Sequence, residues 1–295
     1  MSACDFSRGD KTFVIERLSP SKSIVDFDST LSLLVESYIS SETNNWCMGY
    51  SVPHQYTQKK LNPLFDETSD SVKRRVDDLS WLYAKVLKLY ALQKPEFYRV
   101  RDKETRKQVS MLIVRKYDSK RKVIEEGGGG GGIFDQLKLG LAMIPLRLGF
   151  DTYNKIMKHG ESGNLVHKMY SSKTGEHKRL DFVCTKPEYQ GLGLSSTLIK
   201  RVCSDADAEG WNLYLSTSDR RNQEFYLRFG FKWVGECEGE GGFITAGMSR
   251  RPKGEYDGGV EMVGKVALEK KGDDVFSWIF SVGVIMVIIY MSNFK

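Results

Sequence analysis

The chain has 295 residues, of which 40% are hydrophobic, 28% charged and 12% aromatic. These fractions exclude a wholly disordered, a collagen-like or a multi-span membrane protein. The net charge of +6 is spread along the chain, so no basic strip for nucleic acid is predicted, and five separated cysteines without metal-ligand spacing indicate reduced thiols and no metal site.

The first half of the chain alternates between regular elements and polar stretches. Residues 1–12 have no apolar run and are interpreted as an N-terminal tail. Apolar spacing then predicts a strand at 13–18, helices at 25–39 and 69–92, and strands at 97–100 and 109–117. Six consecutive glycines at 127–132 predict a flexible loop or linker, which does not have to be a domain boundary.

The second half is richer in alternating elements. Residues 134–157 are predicted to be mainly helical, with a break at Pro145, and residues 158–178 to be polar and exposed. The elements that follow are a strand at 180–185, a glycine turn, a helix at 195–209, a strand at 211–216, a helix at 222–229, and strands at 231–235 and 243–249. This order predicts an α/β fold.

The glycine turn is the clearest candidate for a ligand site. Gln190-Gly-Leu-Gly-Leu-Ser195 follows a predicted strand and opens a predicted helix. Glycines let backbone N–H groups point inward, and a helix N-terminus attracts an anion such as a pyrophosphate. A plain tight turn is an equal alternative, and the missing Lys-Ser/Thr pair disfavours a nucleotide-phosphate loop.

Two segments around this turn resemble motifs of the GNAT superfamily of N-acetyltransferases. Pro-Glu-Tyr-Gln-Gly-Leu-Gly-Leu-Ser at 187–195 looks like motif A, and Asn-Gln-Glu-Phe-Tyr-Leu-Arg-Phe-Gly-Phe at 222–231 looks like motif B. Residues 217–231, with Met-Ser-Arg-Arg-Pro at 248–252, are similar to the puromycin N-acetyltransferase branch and its fungal relatives. The resemblance covers residues 13–252. It implies a mixed, mostly antiparallel sheet that is splayed at the cofactor strand and flanked by helices.

The same resemblance implies acetyl-CoA as co-substrate and a primary amine, of a small molecule or peptide, as acceptor. The backbone of Val183 and Thr185 would bind the pantetheine arm and polarise the thioester carbonyl. Asn222 would hydrogen-bond the same arm. The pyrophosphate would be held by the backbone amides of Gln190, Gly191, Leu192, Gly193, Leu194 and Ser195.

The implied reaction is direct attack of the amine on the thioester, without a covalent enzyme intermediate. Tyr226 would protonate the leaving thiolate. Asp181 is a candidate general base because it shares strand parity with Val183 and Thr185, and a partly exposed strand carboxylate without a catalytic role is the favoured alternative. Cys184, on the opposite strand face, is interpreted as a core residue. His177 stands where relatives often have a histidine, and a structural role is its alternative.

Three departures from the family pattern bear on activity. Leu192 stands where a basic residue is common in the loop, and Ser195 stands where glycine or alanine is usual. Ser216 stands where relatives of the puromycin branch often carry glutamate. A catalytically inactive, CoA-binding and membrane-tethered regulatory or scaffold protein therefore stays as the alternative function.

The C-terminal segment is the most apolar part of the chain. Residues 275–291 contain no charge, and a helix of this length spans roughly 25 Å, near the short end of a bilayer core. Trp278 and Tyr290 lie near its ends, as interfacial aromatics do. We expect a C-terminal apolar helix that anchors the domain, through a linker at 253–274, to the cytosolic face of an intracellular membrane. A buried β-rich segment of a soluble cytoplasmic protein is the alternative. The oligomeric state is not predicted.

Overall fold

A computed structural model of the chain describes residues 2–18, 26–39, 41–48, 70–118, 139–254 and 265–267. The glycine run at 127–132, most of the 253–274 linker and the apolar segment at 275–291 lie outside these ranges. Within them, no helix combines the length and the apolar composition that crossing a membrane requires.

The described strands form one mixed sheet with the order β1-β2-β3-β4-β5-β6-β8-β7-β9. Their bounds are Ser2–Arg8 (β1), Lys11–Leu18 (β2), Glu96–Asp102 (β3), Gln108–Tyr117 (β4), His177–Thr185 (β5), Leu213–Thr217 (β6), Lys232–Glu238 (β7), Ile244–Arg250 (β8) and Lys265–Ala267 (β9). Only the pairs β5–β6 and β7–β9 are parallel. The predicted mixed, mostly antiparallel sheet is therefore confirmed.

Helices cover both faces of this sheet. Their bounds are Phe27–Tyr38 (α1), Glu42–Cys47 (α2), Asp70–Leu92 (α3), Ile144–Leu148 (α4), Phe150–Thr174 (α5), Leu194–Glu209 (α6) and Arg220–Leu227 (α7). The apolar side of α6 joins one core cluster, through Leu198, Ile199 and Val202. Helices α1 and α3 join a second cluster on the opposite face, through Leu33, Leu34 and Leu87.

Two strands lie where no strand was predicted. The interpretation of residues 1–12 as a tail is wrong for β1, which pairs with β2 from Ser2↔Arg17 to Arg8↔Lys11. The described residues of β1 are mostly exposed because it is an edge strand. Its polar composition therefore hid it from a search for apolar alternation. Strand β9 lies within the predicted linker and pairs with β7.

Helix α5 runs far beyond the predicted helix end at residue 157. The chain breaks at Gly149, where φ is 89°, and not at Pro145, which lies in the first turn of α4. Proline is tolerated there because a first-turn N–H has no helical partner. The stretch predicted to be polar and exposed contains Val166 and Tyr170, both 1% exposed, so sparse apolar residues still bury one face of α5.

Gly247 on β8 lets α5 approach the sheet closely. A Cβ at this position would lie 2.5 Å from Cγ1 of Val166 and 3.0 Å from the Tyr214 hydroxyl. We expect Gly247→Ala to lower the free energy of unfolding by about 1–3 kcal/mol through overpacking. Gly160, on α5, has open space at its Cβ position. Gly160→Ala should therefore raise the free energy of unfolding by about 1 kcal/mol. Urea unfolding of both variants measures the contrast, and a neutral Gly247→Ala would contradict this close contact.

Candidate functional site

The sheet opens between β5 and β6, and a cleft of about 2170 Å³ lies at the opening. These parallel strands pair only at Lys178↔Leu213 and Arg179↔Tyr214, after which they diverge. The end of β5, the glycine turn, α7 and part of α5 line the cleft. The opening therefore leaves the last residues of β5 without a neighbouring strand on the β6 side, as the predicted splay requires.

A β-bulge interrupts β5 within the cleft wall. Met111 pairs with Cys184 and Ile113 pairs with Asp181, so Phe182 and Val183 together oppose the single residue between them on β4. Phe182 has a φ of 50°, a region that non-glycine residues rarely adopt. A bulge bends its strand and frees backbone groups from the ladder. Val183 therefore presents its backbone to the cleft without a register partner on β4.

The bulge determines which face of the sheet Asp181 and Cys184 lie on. The predicted face is wrong for Asp181 and correct for Cys184. Val183 packs in the core cluster under α6, whereas Asp181 pairs with Arg115, whose guanidinium lies 4.1 Å from the centroid of the Tyr90 ring of α3. The expectation that Asp181 faces the same way as Val183 and Thr185 is wrong, because the extra residue shifts the alternation. Cys184 is a buried core residue as predicted, and burial raises the pKa of its thiol to about 12.

The glycine turn has the geometry of an anion-binding loop. Gly191 and Gly193 adopt φ values of 83° and 76°, which favour glycine, and Gly193 is the N-cap of α6. The N–H of Gln190 donates to Pro187 O and the N–H of Thr197 donates to Gly193 O. Among the described residues, no backbone carbonyl accepts from the amides between them, at 191–196. These N–H groups are therefore available to donate hydrogen bonds to a bound anion.

Hydroxyl groups tie the end of β5 to the start of α6. Thr185 Oγ1 lies 2.7 Å from Ser110 Oγ and 2.7 Å from Ser195 Oγ. The Thr185 carbonyl accepts from Ser37 and from the Gln190 side chain, both at 3.2 Å. Ser195 thus fixes the loop to the strand. The side chains of Thr185 and Gln190 brace the site, and their predicted cofactor contacts involve the backbone.

Asp181 is held by two arginines. Its Oδ2 lies 2.8 Å from Arg115 Nε, and its Oδ1 lies 3.1 Å from Arg179 Nε, with all three side chains largely buried. Both carboxylate oxygens are therefore engaged by guanidinium groups, so a substrate amine in the cleft would have to displace an arginine to reach one. The geometry disfavours Asp181 as the general base and favours a role in holding the cleft wall.

Tyr226 lies on the cleft wall among aromatic side chains. It packs against Phe225 and Phe231, with ring centroids 5.4 and 5.7 Å away. Its hydroxyl makes no hydrogen bond to a described residue, and burial raises its pKa, so it stays protonated at neutral pH. Asn222, one turn earlier on α7, is exposed and lines the cleft. Both side chains line the cleft, and their roles stay predictions.

The two histidines His167 and His177 form a buried pair at the edge of the cleft, which His167 lines. Their Nε2 atoms are 2.7 Å apart, and His177 Nδ1 lies 2.9 Å from the Gly175 carbonyl. His177 is fully buried, and burial lowers its pKa, so the structure favours its structural alternative. Arg179 Nη2 donates to Ser216 Oγ at 3.2 Å.

The sequence pattern did not predict that aromatic side chains of α1 and α3 line the cleft. Tyr38, Tyr83 and Tyr90 surround Phe182, with ring centroids 6.3, 6.1 and 5.2 Å from its own. The three tyrosines lie on α1 and α3, and only the bulge turns Phe182 toward them. The cleft includes every predicted site residue except Leu192, which packs against the core cluster under α6.

The solved structures compared with this chain are distant in sequence. A histone acetyltransferase HPA2 and related acetyltransferase from Corynebacterium glutamicum is 16% identical, with a TM-score of 0.46 over 81% of this chain and 96% of that chain. Arylalkylamine N-acetyltransferase 2 from Aedes aegypti is 11% identical, with a TM-score of 0.45 over 81% and 98%. A Drosophila melanogaster polyamine N-acetyltransferase is 9% identical, with a TM-score of 0.39 over 81% and 99%.

A family comparison covers the elements that build the cleft. No curated protein matches the chain significantly. The matched family model covers the wider GNAT family, so the narrower resemblance to the puromycin branch stays a prediction. Residues 158–233, from α5 through the glycine turn, α6 and α7 to the start of β7, match the acetyltransferase (GNAT) domain family.

Proposed function

We propose that the protein is an acetyl-CoA-dependent N-acetyltransferase that acetylates a primary amine of a small molecule or peptide. One observation carries the proposal: the glycine turn, with open amides at 191–196, stands beside the opening between β5 and β6. A cofactor with a pyrophosphate and an extended arm fits both features at once. The phosphates meet the helix N-terminus, and the pantetheine arm adds to the free edge of β5.

The proposed mechanism uses groups that already line the cleft. The backbone N–H at Val183 polarises the thioester carbonyl, since a fixed donor stabilises the charge that develops on that oxygen. The neutral amine attacks the carbonyl carbon, the C–S bond breaks, and Tyr226 donates its proton to the thiolate. His159 lines the cleft, and burial lowers its pKa. It is therefore neutral at pH 7 and fits the role of proton acceptor better than the ion-paired Asp181.

Binding is the first test. Calorimetric titration of the full chain with acetyl-CoA should release heat and raise the midpoint of thermal unfolding, because a ligand that binds only the folded state stabilises it. Adenosine alone, which lacks the phosphates and the arm, is the matched control and should do neither. A chain that gives neither heat nor a thermal shift with acetyl-CoA would rule out the proposed function.

A catalytically inactive CoA-binding protein is the second candidate. The observation that favours it is the replacement of a potential carboxylate by Ser216, whose hydroxyl accepts from Arg179, together with the two arginines on Asp181. A screen of amines with acetyl-CoA, read by release of free CoA, separates the two candidates. Turnover with any amine supports the enzyme, and binding without turnover across the panel supports the inactive protein.

The membrane attachment remains our proposal for residues 275–291, which lie outside the described part of the chain. The uncharged 17-residue run and its flanking aromatics support it. Membrane fractionation of the full chain and of a variant ending at residue 274 provides the test. Full-length protein that stays in the supernatant at high speed would contradict the anchor.

A further inference from the structure

The turn between β1 and β2 brings two basic side chains to one sheet face. Arg8 ends β1 and Lys11 begins β2, and the two residues are opposite each other in the register. Phe6 and Phe13 are likewise opposite each other, two residues further from the turn. Since alternate residues of a strand share a face, all four side chains lie on the face covered by α6, where Phe13 is buried in the core.

Both cations lie against the glycine turn. The Nε of Arg8 is 3.7 Å from the position that a Cβ would take on Gly193. The Nζ of Lys11 is 4.5 Å from the ring centroid of Tyr189, the residue that precedes Gln190. The Tyr189 ring itself packs edge-on against Phe13, at 6.2 Å between centroids. Aromatic packing thus holds the hairpin, with its two charges, next to the open amides.

The two charges have no counter-ion in the part of the chain that the structure describes. Arg8 and Lys11 are exposed, and neither forms an ion pair with a described residue, Asp10 in the intervening turn included. Like charges opposite each other in an antiparallel pair destabilise the sheet. An anion bound between them and the turn would offset this repulsion while it completes the hydrogen bonds of the loop.

The loop itself lacks a cation at the position where one is common in the family. Leu192 occupies that position and packs into the core. We propose that Arg8 and Lys11 bind the phosphate groups of CoA from the N-terminal hairpin and so supply the positive charge that the loop lacks. This inference rests on the proposed use of CoA. It makes β1, an edge strand, part of the cofactor site.

Titration of the full chain with CoA and with pantetheine tests the inference, because pantetheine lacks the phosphates. We expect Arg8→Gln and Lys11→Gln each to weaken CoA binding about tenfold, and the double variant more. Binding of pantetheine should not change, and the midpoint of thermal unfolding without ligand should not fall, since each variant removes one of two like charges that face each other. Lys168→Gln is the charge-matched control, since Lys168 is exposed on α5, which packs on the other face of the sheet.

The outcomes separate this inference from the proposed function. Wild type that binds CoA, with unchanged affinity in the Arg8 and Lys11 variants, overturns the inference and leaves the function standing. An equal loss in Lys168→Gln, or for pantetheine, also overturns it, because the effect would then come from net charge or from the fold. Wild type that binds no CoA overturns the function, and the inference falls with it. A selective loss of CoA affinity in the hairpin variants supports it.

Discussion

Tyr226→Phe should lower kcat about 100-fold for any amine that the enzyme accepts, with little change in affinity for acetyl-CoA. The reason is that removal of the hydroxyl deletes the proton donor for the leaving thiolate, and general acid catalysis typically contributes 10²–10⁴-fold. The ring itself, which packs against Phe225 and Phe231, is retained. Steady-state kinetics and a parallel titration with acetyl-CoA measure the two quantities.

A second tyrosine provides the matched control for this variant. The Tyr98 hydroxyl is buried away from the cleft and donates to Asp205 at 3.0 Å. Tyr98→Phe should therefore lower the free energy of unfolding by about 1–2 kcal/mol and leave kcat unchanged. If Tyr226→Phe turns over at the wild-type rate, Tyr226 is not the general acid.

The largest loss of stability is expected for Asp181→Asn. This change leaves Arg115 and Arg179 as two buried guanidinium groups that share no carboxylate. Breaking a buried ion pair by removing one partner costs about 3–5 kcal/mol. Urea unfolding of wild type and variant gives the difference in the free energy of unfolding.

An exposed carboxylate provides the comparison. Asp5 of β1 pairs with Lys103 in the turn between β3 and β4, with both side chains about half exposed, so Asp5→Asn should cost no more than about 1 kcal/mol. The comparison also bears on catalysis. If Asp181→Asn abolishes turnover while the free energy of unfolding stays at the wild-type value, Asp181 acts as the base and the ion-pair interpretation is wrong.

Local pattern was sufficient for the elements with a strong apolar period. Helix α3 was predicted at 69–92 and runs over Asp70–Leu92, and the strand at 13–18 lies within β2. The glycine turn also lies where predicted, between β5 and α6. Helix α3 and strand β2 each bury one face, and the burial of one face produces the apolar periodicity that predicts the element.

The remaining differences come from contacts that no local window contains. β1 is mostly exposed on the edge of the sheet, and α5 is mostly polar, with its buried face set by the close approach at Gly247. Phe182, in the bulge, packs against aromatic neighbours from α1 and α3, more than 90 positions earlier in the chain for Tyr90. Strand parity therefore placed Asp181 on the wrong face, although it placed Cys184 on the correct one.

The bulge in β5 suggests how such a cleft arises during evolution. Across Phe182 the alternation of faces shifts by one residue, since Leu180 and Val183, three positions apart, share one core cluster and Cys184 belongs to the other. The bulged strand therefore equals an ordinary strand with one added residue. In evolutionary terms, the bend that exposes the Val183 backbone is what a single codon insertion into a regular strand would produce.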